Sequence, residues 1–335
     1  MLKWYYIRTM SRSMLRGVAL IGFGVLAALG FALALVCGTM DLSVAQVWNA
    51  VVHPVEDGAS LVVWNLRLPR AILGALVGMN LALSGAILQG IMHNPLADPN
   101  IIGISSGAGL AGIVILILFP AYEYLITPFS FLGALVACFM IYMLAWKDGV
   151  KPVRVILAGV AVSAFLGSLI TSLMIFYSDR VHGALMWMVG GLSARGWAHV
   201  PLVLPYAVLG LVGIFLAAHY LNVLQLGDEM ARGLGVNVEK TRVCLTMLAA
   251  LLAASAVSAV GLLGFVGLVV PHIVRLLVGS DYRVLLPGTA LLGAGVVMIS
   301  DTFARTVLSP VELPVGIIMA FLGAPFFLYL LRREV

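Results

Sequence analysis

From Pro69 to Met92 the chain runs about 24 residues with one charge, Arg70, and then breaks at Asn94-Pro95 and Asp98-Pro99. A helix needs roughly 20 apolar residues to cross a hydrocarbon core, so this stretch is long enough to do so. The two prolines remove backbone donors and push the residues before them away from helical geometry, which places a polar loop before the next apolar run. That next run opens with small residues, Gly103, Ser105, Ser106, Gly107, Ala108 and Gly109. In lipid, small residues let helix backbones approach closely. They also suit the wall of a substrate path, and spacing does not separate the two uses.

Composition extends this reading to the whole chain. Of 335 residues, 62% are hydrophobic and 10% charged, against roughly 25% charged in soluble proteins. The chain therefore reads as an all-α, polytopic membrane protein. Its net charge of +5 follows from Lys and Arg kept in cytoplasmic loops and does not indicate a nucleic-acid partner; lipid is the expected surround. Cys37, Cys138 and Cys244 stand singly in apolar stretches, which suits small buried side chains rather than disulfides or a metal cluster.

Apolar stretches fall near 17–38, 69–92, 101–119, 127–146, 153–176, 199–218, 242–263, 264–279, 284–303 and 313–331. Ten crossings put both termini on one side, and basic residues identify that side as the cytoplasm. Lys3, Arg8, Arg12, Arg16, Lys147, Lys151, Arg154, Arg232, Lys240, Arg242, Arg275, Arg283, Arg332 and Arg333 then lie inside, fourteen of nineteen. The five left outside, Arg67, Arg70, Arg180, Arg195 and Arg305, include none of the four lysines, so binding is a reason to look for. The first stretch exceeds the usual apolar run of a signal peptide and reads as a retained span. The segment 39–66, with Asp41, Glu56 and Asp57, faces outward. Residues 177–197 are too short and polar to cross again and predict a short outer helix around Ala184–Val189, with Trp187 and Trp197 at the boundary. His182 has no His, Asp or Glu at the i+3 or i+4 position and reads as a surface residue.

Two absences bear on function. No GxxxxGK[ST] occurs, so the chain has no Walker A site for ATP. No apolar stretch carries Asp, Glu, Lys or Arg near its middle, where intramembrane charge of a proton-coupled carrier would stand. A transporter of this kind takes its energy from a partner. The inner loop 221–242 is the candidate docking site: Asp228 and Glu229 open a short helix and Gly233-Leu234-Gly235 close it, a favourable order of charge and cap. A plain connector between packed helices is usually shorter.

RLPR at 67–70, NPLADP at 94–99, SSGAG at 105–109, LGDEMARGLGV at 226–236, GFVGLVVPHIVR at 264–275, DYRVLLPG at 281–288 and ELPVGI at 312–317 together resemble the permease family of bacterial importers for ferric siderophores, haem and vitamin B12. The resemblance covers about 67–331. It implies a multi-pass protein of the bacterial cytoplasmic (inner) membrane, working with a second permease, here a second copy of the chain, with two ATPase subunits that use ATP and Mg, and with an extracytoplasmic substrate-binding protein. No catalytic residue, metal site or cofactor is implied for the permease itself. By motif, Arg67, Arg70 and Arg305 resemble arginines that meet carboxylates of the binding protein; a surface or headgroup role is the alternative. Asp228, Glu229, Ala231, Arg232, Gly233, Leu234 and Gly235 match the helix that couples to the ATPase. Asn94, Pro95 and Leu96 match a turn at the inner gate, and His272 and Arg275 a packing or headgroup position. Leu263 stands where relatives often have Ile.

Ala161, Ser163, Gly167 and Ser168 are expected to line the path. The family leaves recognition to the binding protein, so ferric siderophore is the broadest reading and haem and corrinoid stay open. An ion-coupled carrier would show intramembrane charge, and a sensory or structural membrane protein would lack the docking helix.

Overall fold

The computed structural model describes residues 2–53, 57–100, 103–147 and 152–334, and the regular elements among them are all helical. Glu56 and Lys151, named above, and the first two residues of the stretch 101–119 lie outside these residues, as do the side chains of Lys3, Arg8, Arg12 and Arg333.

A long first helix, α1 (Leu2–Val36), leads to two short ones, α2 (Val44–Val52) and α3 (Gly58–Val62). Ser43 and Gln46 form a capping box on α2, and Asp57 caps α3 through the Ser60 amide. One π-helical turn, Val63–Arg67, then runs straight into α4 (Leu68–Met92). Caps and apolar residues thus alternate within the segment 39–66 and start two short helices in it.

The remaining helices are α5 (Ile104–Leu118), α6 (Ile126–Ala145), α7 (Pro152–Phe176), α8 (Val181–Val189) and α9 (Val200–Leu224). They are followed by α10 (Asp228–Gly233), α11 (Val238–Val260), α12 (Val266–Val278), α13 (Tyr282–Thr306) and α14 (Val315–Glu334). Against the expected ten crossings, seven helices or helix runs among the described residues are long and apolar enough to cross; α5 and α12 are shorter apolar helices, and α14 is apolar over Val315–Leu328. α5 and α12 are short for a shared reason: the chain turns back inside the bundle before each. Asp98 and Pro99 fold in against Gly267 at the start of α12, which also packs on the Leu81 carbonyl, about three turns before the end of α4.

α4 is the hub. Of the most apolar window in each long run, 78% is buried in Gly58–Met92, 72% in Val238–Val260 and 67% in Tyr282–Thr306, against 22–33% in α1, α6, α7 and α9. So α4, α11 and α13 form the interior and the others a shell with apolar outer faces. Close approach depends on two glycines: a Cβ at Gly78 would run into the Gly293 carbonyl of α13, and one at Gly85 into the Gly267 carbonyl of α12. Asn80 Nδ2 donates to Ser255 Oγ at 3.0 Å and Ser84 Oγ to the Ala249 carbonyl at 2.7 Å, tying α4 to α11.

The small residues of α5 serve packing within the chain. Ser105, Gly107, Ala108 and Gly109 are buried, and Gly107 sits against the Gly133 carbonyl of α6, so they line no path. α8 occupies the expected position, but Trp187 is 6% exposed, with its ring against Gly112, rather than at a boundary. Trp197 is exposed and donates Nε1 to the Trp64 carbonyl at 2.7 Å; His182 is exposed.

Candidate functional site

Three groups of residues singled out by the sequence fall at two ends of this bundle and along one side. At the Arg67 end, the unbroken run from α3 into α4 puts Arg67 and Arg70 three residues apart on one helical face. Arg67 is 3% exposed; its Nη1 donates to the carbonyls of Leu35 at 2.8 Å and Val36 at 2.7 Å, and its Nη2 to that of Met40. The first two are last-turn carbonyls of α1, which have no acceptor role left inside their own helix. Arg305, in the last turn of α13 and 4% exposed, donates to the Ala34 carbonyl of the same turn.

Arg70 holds a fork–fork pair. Its Nε and Nη2 donate to the two Asp301 oxygens at 2.8 and 2.9 Å, while Nη1 donates to Glu312 at 2.9 Å. The Glu312 carboxylate also accepts from Ser193 Oγ at 2.9 Å. Burial by itself would raise the Glu312 pKa, but the hydrogen bond and charge of Arg70, with the Ser193 hydroxyl and Arg305, bring it below the ordinary glutamate value. One guanidinium therefore joins α4, α13, the link before α14 and the turn after α8.

These side chains surround a cavity of 280 Å³ lined by Arg67, Arg70, Arg195, Arg305 and Glu312, with Gly38 and Thr39 at its edge. Four guanidiniums face two carboxylates, counting Asp301 behind Arg70, an excess of two positive charges. Arg195 and Arg305 each keep a buried Nε without a partner. None of the three predicted arginines is an exposed surface or headgroup residue: Arg67 and Arg305 are buried and Arg70 is half-buried, and Arg67 and Arg70 spend most of their donors within the chain. A carboxylate meeting them would have to enter the cavity. Sequence reasoning missed Asp301, Glu312 and Arg195 as members. A signal existed, since Arg70 and Asp301 are lone opposite charges in two otherwise uncharged stretches.

At the other end, α10 projects between two left-handed glycines, Gly227 (φ 93°) and Gly235 (φ 83°). Ala231 is fully buried and roots the helix. Asp228 is not free: Arg242 of α11, itself buried, binds it through two bonds of 2.8 and 2.9 Å. Arg232 pairs with Glu239 at 2.7 Å on the exposed side. Glu229, Gly233 and Gly235 are exposed, and Leu226, Met230 and Leu234 are 57%, 63% and 63% exposed. Met230 and Leu234, four residues apart, share one apolar face of α10, with Leu226 exposed just before the Gly227 turn, a feature that motif matching had not distinguished from its polar neighbours.

The turn at the end of α4 lies beside the end of α9, which leads into α10. His93 closes α4 in left-handed geometry (φ 47°, ψ 36°), and Asn94 Oδ1 accepts the Leu96 amide at 2.9 Å, an Asx turn. Asn94, Pro95 and Leu96 are half-buried, whereas Ala97, Asp98 and Pro99 are buried. Burial pushes the Asp98 carboxyl above its ordinary pKa, opposed by hydrogen bonds from the Asn100 amide and side chain.

Along α7 the expected lining residues separate. Ser163 turns inward near Gly103, with its Oγ buried and unpartnered. Ala161 and Ser168 are exposed with Thr171 and Ser172, and Gly167 is half-exposed; the hydroxyls of 168, 171 and 172 donate to carbonyls of their own helix at 2.7 to 2.9 Å. Among the described residues no group of three or more His, Cys, Asp or Glu is placed to hold a metal ion. His272 packs its ring edge-on against Phe326.

The model of the FecCD transport family matches residues 26–333. The chain is 45% identical over 283 residues to the cobalamin import system permease protein BtuC of Halobacterium salinarum, covering 84% of this chain and 76% of that one. It is 38% identical over 328 residues to the Fe(3+)-citrate import system permease protein YfmD of Bacillus subtilis, covering 97% and 96%. A solved structure described as an inward-facing conformation of a metal-chelate type ABC transporter superposes with a TM-score of 0.81 at 30% identity, covering 94% of this chain and 98% of that one.

Proposed function

The chain belongs to the FecCD transport family, and from that premise we propose that it is the permease of an ATP-driven importer moving a ferric siderophore from an extracytoplasmic binding protein into the cytoplasm. In this reading the chain crosses the inner membrane ten times, counting α5, α12 and α14, with both termini cytoplasmic. Two copies form the pore, two ATPase subunits dock from inside and hydrolyse Mg-ATP, and the permease carries no cofactor and catalyses no reaction.

The observation that carries the reading is the projecting α10. Exposed apolar side chains, Leu226, Met230 and Leu234, on a polar loop with Glu229 and the Arg232–Glu239 pair beside them in sequence suit a hydrophobic cleft on a partner with a polar rim. The docking residues are therefore these three with Glu229, Arg232, Gly233 and Gly235; Asp228 and Ala231 hold the helix in place. The arginine cavity at the opposite end suits insertion of an acidic side chain from the binding protein, met by the unspent donors of Arg195 and Arg305. The exposed small and hydroxyl residues of α7, with Asn94–Leu96 at the inner end, suit the path and its gate.

The iron cargo is supported by the ferric-citrate relative; haem or a corrinoid is the alternative, and the cobalamin relative favours the latter. The test is uptake into proteoliposomes holding the permease, its ATPase and its binding protein, supplied in turn with a ferric siderophore, haem and cobalamin. ATP-dependent uptake of the ferric siderophore is expected. Uptake of haem or cobalamin alone would overturn the cargo, and ATP-independent uptake the mechanism.

A further inference from the structure

The loop that carries α10 and the turn that closes α4 meet at a single backbone oxygen. The Leu224 carbonyl, at the last residue of α9, accepts the Gly227 amide at 3.1 Å, which sets the start of α10. It also lies 2.8 Å from Nε2 of His93. Since a carbonyl only accepts, that nitrogen carries the proton and donates. His93 is the residue at which α4 ends, and Asn94, Pro95 and Leu96 follow it directly.

His93 also adopts a conformation that its side chain does not favour. At φ 47° and ψ 36° it occupies the left-handed region, where Gly or Asn is the ordinary helix-closing residue. A histidine here gains nothing in backbone terms over asparagine. What it adds is reach, and the reach is used on Leu224.

The surroundings make this contact a joint between otherwise fixed parts. Two residues before Leu224, Asn222 donates to Asp281 at 2.9 Å and accepts the Tyr282 amide at 3.0 Å, which pins the end of α9 to the start of α13. Gly90, one turn before His93, is crowded by the Tyr282 ring and Leu221. The ends of α4, α9 and α13 are thus clamped together, while beyond Leu224 and beyond His93 the chain leaves the clamp as α10 in one direction and as the Asn94–Leu96 turn in the other.

We propose that His93 is a positioning residue that links α10 to the Asn94–Leu96 turn through the Leu224 carbonyl, so that a displacement of α10 by the ATPase moves the turn. This rests on the reading of α10 as the docking helix and of the turn as the inner gate. A shift of α10 pulls on Gly227 and hence on Leu224; with His93 bonded to the same oxygen, the closing residue of α4 follows. Without the imidazole, α10 and the turn are joined only through packing of the helices behind them.

The test uses the assembled transporter in proteoliposomes, with uptake and ATP hydrolysis measured on the same sample. His93→Asn keeps a residue suited to the left-handed position but removes the reach; His93→Gly does so without any side chain; His93→Gln restores a long amide donor. Loss of a hydrogen bond of ordinary strength corresponds to a roughly two- to tenfold change in an equilibrium. Uptake per ATP hydrolysed should fall by that order in His93→Asn and His93→Gly and recover in part in His93→Gln, with ATPase co-purification unchanged in all three. Unchanged uptake per ATP in both short variants overturns the proposal, as does equal loss in all three. Leu234→Glu tests the underlying reading separately. If it leaves ATPase binding intact, α10 is not the docking helix, whatever the His93 variants do.

Discussion

Replacing Arg70 by methionine is the sharpest test of how this bundle is held at its Arg67 end. Methionine keeps the length of the aliphatic stem and removes the guanidinium. Asp301 then loses two charge-assisted bonds, of 2.8 and 2.9 Å, each worth about 1.5–3 kcal/mol. With side-chain exposures of 11% for Arg70 and 5% for Asp301, water cannot replace those bonds, and the loss belongs to the class of broken buried pairs, about 3–5 kcal/mol. The Glu312 arm contributes less, because that carboxylate is 30% exposed and keeps the Ser193 hydroxyl. Unfolding by SDS in mixed micelles, followed by tryptophan fluorescence, measures the difference. Asp301→Asn in the Arg70→Met background removes the stranded charge and should return about 1–3 kcal/mol as a coupling energy. A loss below about 1 kcal/mol in Arg70→Met, or strict additivity of the two changes, would refute the view that this pair holds α4 to α13. By the same reasoning Arg70→Glu, which would set a new acid between Asp301 and Glu312, should damage the fold and so cannot serve as a test of docking.

Gly85→Val should prevent assembly of a stable chain, since its Cβ would enter the Gly267 carbonyl and overpacking of a tight interface costs about 1–3 kcal/mol or more, whereas Gly233→Ala, with open space around it and an ordinary φ, should express and fractionate normally; equal membrane yields of the two would contradict the packing. Met230→Glu with Leu234→Glu should leave the permease folded and remove ATPase co-purification, while Asp228→Asn should loosen α10 by weakening the Arg242 bonds and show mainly as faster proteolysis of the 227–235 loop. Glu312 has a folded pKa below its unfolded one, so its contribution is complete above the ordinary glutamate value and fades as pH falls through the lower folded value. Glu312 should therefore add no pH dependence to stability between pH 7 and 6, where its contribution is constant, and Glu312→Gln should flatten the acid limb of a pH–stability profile; a change centred near neutrality would point to another group.

The helical class, the membrane solvent and the order of the elements are properties of local composition, and the sequence by itself determined them. An apolar run must satisfy its own backbone hydrogen bonds wherever it sits in lipid, so Pro69 to Met92 could be read without knowing its neighbours. The cap residues Ser43, Asp57 and Asn237, which accept from amides three residues on, act over the same short range. α10 was legible for the same reason, because its acids, its basic last turn and its closing glycines lie within ten residues.

What only the tertiary structure decided is where buried polar groups find partners, and those partners lie far along the chain. Arg67 looked like a free outer guanidinium because the carbonyls it caps belong to the end of α1; Arg70 meets Asp301 and Glu312 across more than two hundred residues. The small residues of α5 gave no hint whether they faced a second copy, a path or α6, since helical spacing defines a face but not its neighbour. The shortness of α5 and α12 likewise depends on the fold. Asp98 and Pro99 fill space beside Gly267, and that space exists only because Gly85 lets α12 lie directly against α4. Local pattern selects the elements; the requirement that every buried charge and donor be met selects their arrangement.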